Sequence, residues 1–242
     1  MIHGLQKNQS VKAIVLNTLL AAGSLFINGF GIYLTIQANI GAAPWDVLNL
    51  GLSKSLGILY GTAAIAVSCT ILGIDFLLRE PIGIAMFVDA LVVGKAVDFC
   101  NRLNLVPQST SLLSGTFMLL IGLVIIAYTQ YLYMIAALGC GPRDTLLVGL
   151  SKRLGRIPIG LVSILLLGFA TFAGWILGGP VGIGTLICAF ASGPIMQLAF
   201  HTVHFDATKI QHQRLQDSIH VFLSSFPAHS HRETHRAKQK HL

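Results

Sequence analysis

Long apolar runs separated by short polar stretches dominate the chain. Six runs approach the roughly 17–25 residues that a helix needs to cross a bilayer, and they cover residues 13–38, 61–78, 82–101, 112–138, 157–178 and 181–203. Backbone N–H and C=O groups in lipid must bond within their own segment, so we expect each run to be a helix. The pattern predicts an all-α, polytopic membrane helix bundle.

Two polar stretches interrupt the apolar pattern and resemble each other closely. GAAPWDVLNLGLSKSLG covers residues 41–57, and GCGPRDTLLVGLSKRLG follows 98 residues later, at 139–155; the two agree at ten of 17 positions. The pairs that match include Gly41/Gly139, Pro44/Pro142, Asp46/Asp144, Gly51/Gly149, Ser53/Ser151 and Lys54/Lys152. Pro, Asp, Ser and Lys are scarce in membrane sequence, so shared composition does not explain the match. We infer an internal repeat.

The repeat divides the chain into two related halves. They cover residues 13–102 and 112–203 and are joined by a linker at 103–111. A short N-terminus, 1–12, precedes them, and a basic, His-containing tail, 204–242, follows. Beyond the two polar stretches, Gly83 and Gly94 of the first half correspond to Gly182 and Gly193 of the second.

Each polar stretch predicts a break followed by a short helix. Gly41 suits the end of the preceding helix, and Pro44 suits the first turn of a new one. Asp46 would lie in that first turn and Lys54 near the last, which complements the helix dipole. Such a helix measures roughly 16 Å, well short of an apolar core of about 30 Å. The second copy predicts the same element.

Two membrane topologies fit this pattern. If the short helices are re-entrant, the protein has six spans and the halves are inverted. If they cross, it has eight spans and the halves are parallel. The distribution of Lys and Arg satisfies the positive-inside rule equally in both schemes and places both termini in the cytoplasm. The length of the short elements favours six spans.

Two interruptions at corresponding positions of two halves are typical of a transporter binding site; the alternative is a pair of interfacial loops with capped helices. The candidate binding residues are Asn39, Gly41, Pro44, Trp45 and Asp46 in the first half, and Gly139, Gly141, Pro142 and Asp144 in the second.

Charged residues within the apolar runs add one more candidate. Asp89 has no partner on its own helix, which makes it a candidate for a proton- or ion-coupled role; a hydrogen-bonded packing role is the alternative. Asp75 and Arg79 are spaced to pair along one helix. Lys95, Asp98 and Arg102 share a helix face and are expected to neutralise one another.

Composition narrows the classes of function. The chain is 54% hydrophobic and only 10% charged, with a net charge of +7. We assign the basic excess to a cytoplasmic tail attracted to anionic lipid headgroups rather than to nucleic acid, because no aromatic–basic interleaving accompanies it. The four cysteines show no C-x-x-C spacing. We predict no metal, disulfide or cofactor, and no enzyme, since no nucleophile–base pair occurs in the runs.

The chain resembles the YczE/YyaS/YitT family of bacterial integral membrane proteins. The resemblance rests on G-x-x-P-W-D at 41–46, G-L-S at 51–53 and G-x-G-T, which contains Gly182, Gly184 and Thr185. It covers residues 13–203 and implies a multi-pass protein of the bacterial cytoplasmic membrane. The second copy departs from the pattern with Arg143 where the first has Trp45.

These observations lead to two hypotheses about function. The first is a permease-like transporter of a small solute, with the paired breaks as its site. The second is a non-transporting membrane accessory protein that supports export or assembly of another product. Both leave a homo-oligomer open.

Overall fold

The computed structural model describes residues 11–136 and 141–205, which are entirely helical apart from turns and connections. The helices are α1 (Val11–Gln37), α2 (Pro44–Leu56), α3 (Tyr60–Leu77), α4 (Ile84–Leu103), α5 (Leu112–Ile135), α6 (Pro142–Arg153), α7 (Ile159–Ile176) and α8 (Ile183–Thr202). The all-α helix bundle is confirmed.

Six helices are long and two are short, as the sequence predicts. Five of them (α1, α3, α5, α7 and α8) are long and apolar enough to cross a membrane. The sixth long helix, α4, has 20 residues but carries Asp89, Lys95, Asp98 and Arg102. Many large apolar side chains point outward, with Phe76, Leu77 and Phe190 more than 70% exposed. In water such a surface would drive aggregation; in a bilayer it contacts lipid.

The break between α1 and α2 has the backbone that its sequence requires. Asn39 and Gly41 have positive φ angles of 54° and 113°. Pro44 is the first residue of α2, where its missing N–H has no cost. Gly57 then ends α2 in the left-handed conformation, with φ of 64°. The second short helix, α6, likewise begins at its proline, Pro142.

Contacts between helices fix their relative directions. α1 and α5 are antiparallel, because Asn28 bonds to Thr129 while Gly31 packs on Gly122 and Ile126. α1 and α4 are parallel, because Gly29 packs against Ala96, and the Leu25 end of α1 packs against Val88 and Val92. These directions match six spans with inverted halves. Eight spans would require the opposite in both cases.

Small residues bring several helices into backbone contact. Gly31 and Gly122 join α1 to α5, Gly61 and Gly94 join α3 to α4, and Gly51 joins α2 to Gly174 of α7. A Cβ atom at any of these glycines would overlap backbone of the facing helix. Without a hydrophobic driving force between helices in lipid, such close packing is a main source of cohesion.

Most contacts between two helices have a counterpart between the two helices at the corresponding positions of the repeat. α1 packs on α4 as α5 packs on α8, α2 packs on α7 as α6 packs on α3, and α2 packs on α3 as α6 packs on α7. One contact lacks its counterpart. α3 packs closely along α4, whereas α7 and α8 have no comparable contact.

Two expectations about charged residues are wrong. Asp75 is fully buried, and neither carboxyl oxygen has a hydrogen-bond partner among the described residues. Arg79 does not pair with it, because Arg79 lies beyond the end of α3 with a φ of 56°. Asp98 does not pair with Lys95 or Arg102 either: its Oδ1 accepts a hydrogen bond of 2.8 Å from the Gly61 N–H.

Candidate functional site

A cavity of about 420 Å³ lies where the N-terminal ends of the two short helices meet. Ala43, Pro44, Trp45 and Asp46 from the first break line it, together with Gly141, Arg143 and Asp144 from the second. Residues of α1, α3, α4, α5, α7 and α8 complete the wall. Residues far apart in the sequence thus meet in one cavity.

The segment around the G-x-G-T motif, at the start of α8, holds the break between α1 and α2 in place. The Gly184 N–H donates a hydrogen bond of 2.7 Å to the Ile40 carbonyl, and the Ala42 N–H donates one of 3.2 Å to Pro180. A Cβ on Gly182 or Gly184 would overlap the Ile40–Gly41 backbone. The motif and Pro180, which precedes it, therefore satisfy two backbone groups that a broken helix leaves without partners.

Asp46 belongs to a buried hydrogen-bond chain. It is 4% exposed, and its Oδ1 accepts a hydrogen bond of 2.7 Å from the Tyr60 hydroxyl. Asn49, also buried, donates from Nδ2 to the same hydroxyl oxygen at 3.3 Å. The first turn of α2 is thereby tied to the first turn of α3, and the Asp46 carboxyl group is held in one orientation.

Trp45 and Arg143 meet across the cavity. The guanidinium carbon of Arg143 lies 5.3 Å from the centre of the Trp45 ring, within the range of a cation–π contact. The two residues occupy the same position of the two sequence copies. The departure of the second copy from the first therefore produces a complementary pair where the short helices approach each other.

Asp89 of α4 and Asp144 of α6 line the same cavity. Their Oδ2 atoms each lie 3.7 Å from the position that a Cβ on Gly141 would occupy, so the two oxygens are at most twice that distance apart. A Cβ at this position would be in ordinary van der Waals contact with both carboxyl groups, so Gly141 marks the point where they converge. The structure thus brings together Asp46, Asp89 and Asp144, the three acidic candidates of the sequence.

The remaining candidates have varied positions. Pro142 is buried and Gly41 packs against Gly182, and neither lines the cavity. Asn39 is exposed and donates a weak hydrogen bond of 3.4 Å to the Ser109 carbonyl, away from the cavity. Gly139 lies outside the described residues.

The other repeated residues serve the packing of the short helices. A Cβ on Gly149 would crowd Glu80, as one on Gly51 would crowd Gly174. Lys152 forms an ion pair of 2.6 Å with Glu80, and Lys54 lies beside Gly178. Ser53 and Ser151 donate their hydroxyl hydrogens to nearby backbone carbonyls, those of Ile58 and Leu147.

Sequence reasoning missed two contributors to this site. Tyr60 carries the hydrogen bond to Asp46, and Arg143 supplies the guanidinium group among the three carboxyl groups. The Arg-for-Trp exchange at position 143 was the available signal for the second. No pattern in the sequence singled out Tyr60. Within the described ranges, no group of His, Cys, Asp and Glu is arranged to hold a metal ion.

Comparison with known proteins places the chain in a family. Residues 15–201 match the model of a family of unknown function, DUF6198. The chain is 29% identical over 192 residues to the uncharacterized membrane protein YczE of Bacillus subtilis, covering 77% of this chain and 86% of that protein.

Two further relatives show similar coverage. The chain is 32% identical over 184 residues to the uncharacterized protein YyaS of Bacillus subtilis, covering 72% of this chain and 87% of that one. It is 28% identical over 180 residues to an uncharacterized protein of Haemophilus influenzae, covering 74% and 81%. No solved structure matches. The resemblance to YczE and YyaS is confirmed, and the chain is a multi-pass membrane protein that belongs to the DUF6198 family.

Proposed function

We propose that the protein is a permease-like transporter of a small solute, built from two sequence-related halves of inverted topology. The observation that carries this proposal is the cavity at the paired helix breaks. Broken helices at membrane depth are tolerated where they are buried or line a cavity, and in many secondary transporters two such breaks form the substrate site.

The contacts at the centre of the bundle support inverted halves. Asn28 meets Thr129, and Gly31 meets Ile126. The sequence offset of 98 relates Asn28 to Ile126 and Gly31 to Thr129, so the two contacts exchange under the repeat. Antiparallel partners related in this way imply a pseudo-two-fold axis across α1 and α5, in the plane of the membrane.

The difference between the halves supports alternating access. In the first half, Gly61 and Gly94 bring α3 and α4 together, and Asp98 accepts a hydrogen bond from the Gly61 N–H. At the corresponding Gly160 and Gly193, a Cβ would meet no described atom within 4 Å. Transporters with inverted repeats expose their site alternately by rocking one part against another. We infer that the halves exchange the close and the separated arrangement.

Because the sequence pattern of the apolar runs predicts no nucleophile–base pair, we propose that the protein has no enzymatic activity. We further propose that it resides in the bacterial cytoplasmic membrane with both termini in the cytoplasm, as the positive-inside rule favours. In this orientation the basic tail, which lies outside the described residues, would reach anionic headgroups of the inner leaflet.

Uptake into proteoliposomes tests the transport proposal. The purified protein would be offered a mixture of small cationic, zwitterionic, neutral and anionic solutes, and the lumen would be analysed by mass spectrometry. We expect at least one solute to accumulate, and Asp46→Asn or Asp144→Asn to reduce its uptake about tenfold or more, which corresponds to about 1.4 kcal/mol. Glu80→Gln, which removes an acid outside the cavity, should retain uptake.

Failure of every solute to accumulate above protein-free liposomes would contradict the permease proposal. Together with a partner protein that copurifies stoichiometrically, this result would favour the accessory alternative. No described contact favours that alternative over transport.

A further inference from the structure

We propose that the cavity binds a small organic cation, with an ammonium group near Asp89 and Asp144 and an apolar body against the apolar part of the wall. The inference rests on the proposed permease function only in taking the cavity as the cargo site. It concerns the chemical class of the cargo, which can be tested by binding alone.

The fixed charges of the cavity favour a positive ligand. Three carboxyl groups line it, those of Asp46, Asp89 and Asp144, against the single guanidinium group of Arg143. The guanidinium group interacts electrostatically with all three carboxyl groups. Because it carries one positive charge, it can neutralise only one of their negative charges. With the carboxyl groups ionised, the excess is two negative charges at bilayer depth, where uncompensated charge is costly.

Hydrogen bonding indicates which carboxyl groups take up the ligand. Asp46 is buried and bonded to the Tyr60 hydroxyl. Asp89 and Asp144 have no hydrogen bond or ion pair with the described residues, and both face the cavity. Their Oδ2 atoms each lie 3.7 Å from the position that a Cβ on Gly141 would occupy, so one ammonium group can lie near both.

The remaining wall fits an apolar body. It includes Ile32, Val93, Leu123, Ile126 and Leu167, and the Trp45 ring already holds a cation, Arg143, on its face. About 420 Å³ is within the usual range of roughly 300–1,000 Å³ for small-ligand sites. The repeat partner of Asp89 is Cys188, which is uncharged, so the cation would lie off the pseudo-two-fold axis, toward α4.

The helix N-termini do not reverse this preference. α2 and α6 point their positive ends toward the cavity, which alone would favour an anion. Each end, however, carries an aspartate in its first turn, Asp46 and Asp144. These full negative charges exceed the partial charge of about half a unit at a helix end.

Tryptophan fluorescence can report binding directly. The chain has two tryptophans, and Trp175→Phe leaves Trp45 in the cavity wall as the single reporter. This variant in nanodiscs would be titrated with n-butylammonium, 1-butanol and butyrate, which differ chiefly in charge. We expect a saturable Trp45 response to butylammonium, with affinity about tenfold or more above that for 1-butanol, and no saturable response to butyrate.

Substitutions assign the response to the two carboxyl groups. Asp89→Asn and Asp144→Asn should each weaken butylammonium binding about tenfold or more, and Asp89→Glu should restore part of it. Glu80→Gln is the matched control and should bind as the parent does. If an Asn variant does not elute as monodisperse protein, the affinity of Asp89→Glu, which keeps the negative charge, is compared with that of the parent protein instead.

The outcomes separate this inference from transport. Saturable binding of butyrate in preference to butylammonium, or unchanged affinity in Asp89→Asn, would overturn the cation assignment while leaving a permease intact. Butylammonium binding without accumulation of any solute in proteoliposomes would support the cation site and contradict the permease.

Discussion

Single glycines show most clearly how the two proposed halves differ. Gly61 and Gly94 touch each other's backbone, whereas their counterparts Gly160 and Gly193 lie in open space. The acid that accompanies the first pair, Asp98, corresponds to Gln197 in the second half. The same small residues therefore support a close contact in one half and leave room for one in the other.

A bulky residue at Gly193 should block transport without disturbing the described arrangement. No described atom lies within 4 Å of a Cβ at that position, so Gly193→Leu should fold and bind cation normally. In the proposed second state, in which α7 and α8 are close together, the side chain introduced by Gly193→Leu would meet α7 as Gly94 now meets α3. Overpacking of this kind costs about 1–3 kcal/mol. Uptake in proteoliposomes should fall about tenfold.

Gly73→Leu provides the matched control, because Gly73 also lies in a long helix with open space around its Cβ position. Its uptake should equal that of the parent protein. Equal uptake by Gly193→Leu and Gly73→Leu would show that α7 and α8 need not close together during the cycle.

At the scale of elements, the sequence predicts best the helix ends that are set by single Pro and Gly residues. The start of α2 at Pro44 and its end before Gly57 follow from the residues themselves, as does the start of α6 at Pro142. The charged residues of α3 and α4 were less predictable. Helical spacing placed Asp98 near Lys95 and Arg102, but its partner, the Gly61 N–H, comes from another helix.

The cavity could be predicted in part from the sequence. Asp46, Asp144 and Asp89 could be singled out because charge is scarce in apolar runs, and all three line it. Tyr60 and the face-to-face position of Trp45 and Arg143 depend on how the two short helices approach each other. Spacing along the chain contains no information on that approach. Asn39, a candidate beside the break, bonds to the Ser109 carbonyl and does not line the cavity.

At the scale of the whole molecule, helix directions determine the topology. α5 runs opposite to α1 and parallel to α8, so α8 ends at the side of the bundle where α1 begins. Both ends of the described chain therefore lie on one side. α2 and α6 lie toward opposite sides, since α2 packs at the C-terminal end of α7 and α6 at that of α3.

Cysteine labelling from each side of the membrane tests this topology and its orientation. With the native cysteines replaced, Lys54→Cys and Arg102→Cys should react with an impermeant maleimide added outside intact cells. Lys152→Cys, the repeat counterpart of Lys54→Cys, should react only after the cytoplasmic face is exposed. Labelling of positions 54 and 152 from the same side would contradict inverted halves, because parallel halves place both on one face.

The most direct test of the account is the distance between α7 and α8 compared with that between α3 and α4. Spin labels at Leu161 and Leu198 and, in a second sample, at Thr62 and Phe99 occupy corresponding, exposed positions. Double electron–electron resonance in nanodiscs should give two distances for each pair. The minor α7–α8 distance should equal the major α3–α4 distance, and butylammonium should change the proportions in both samples. A single, long α7–α8 distance under all conditions would contradict the exchange between halves on which the proposed transport depends.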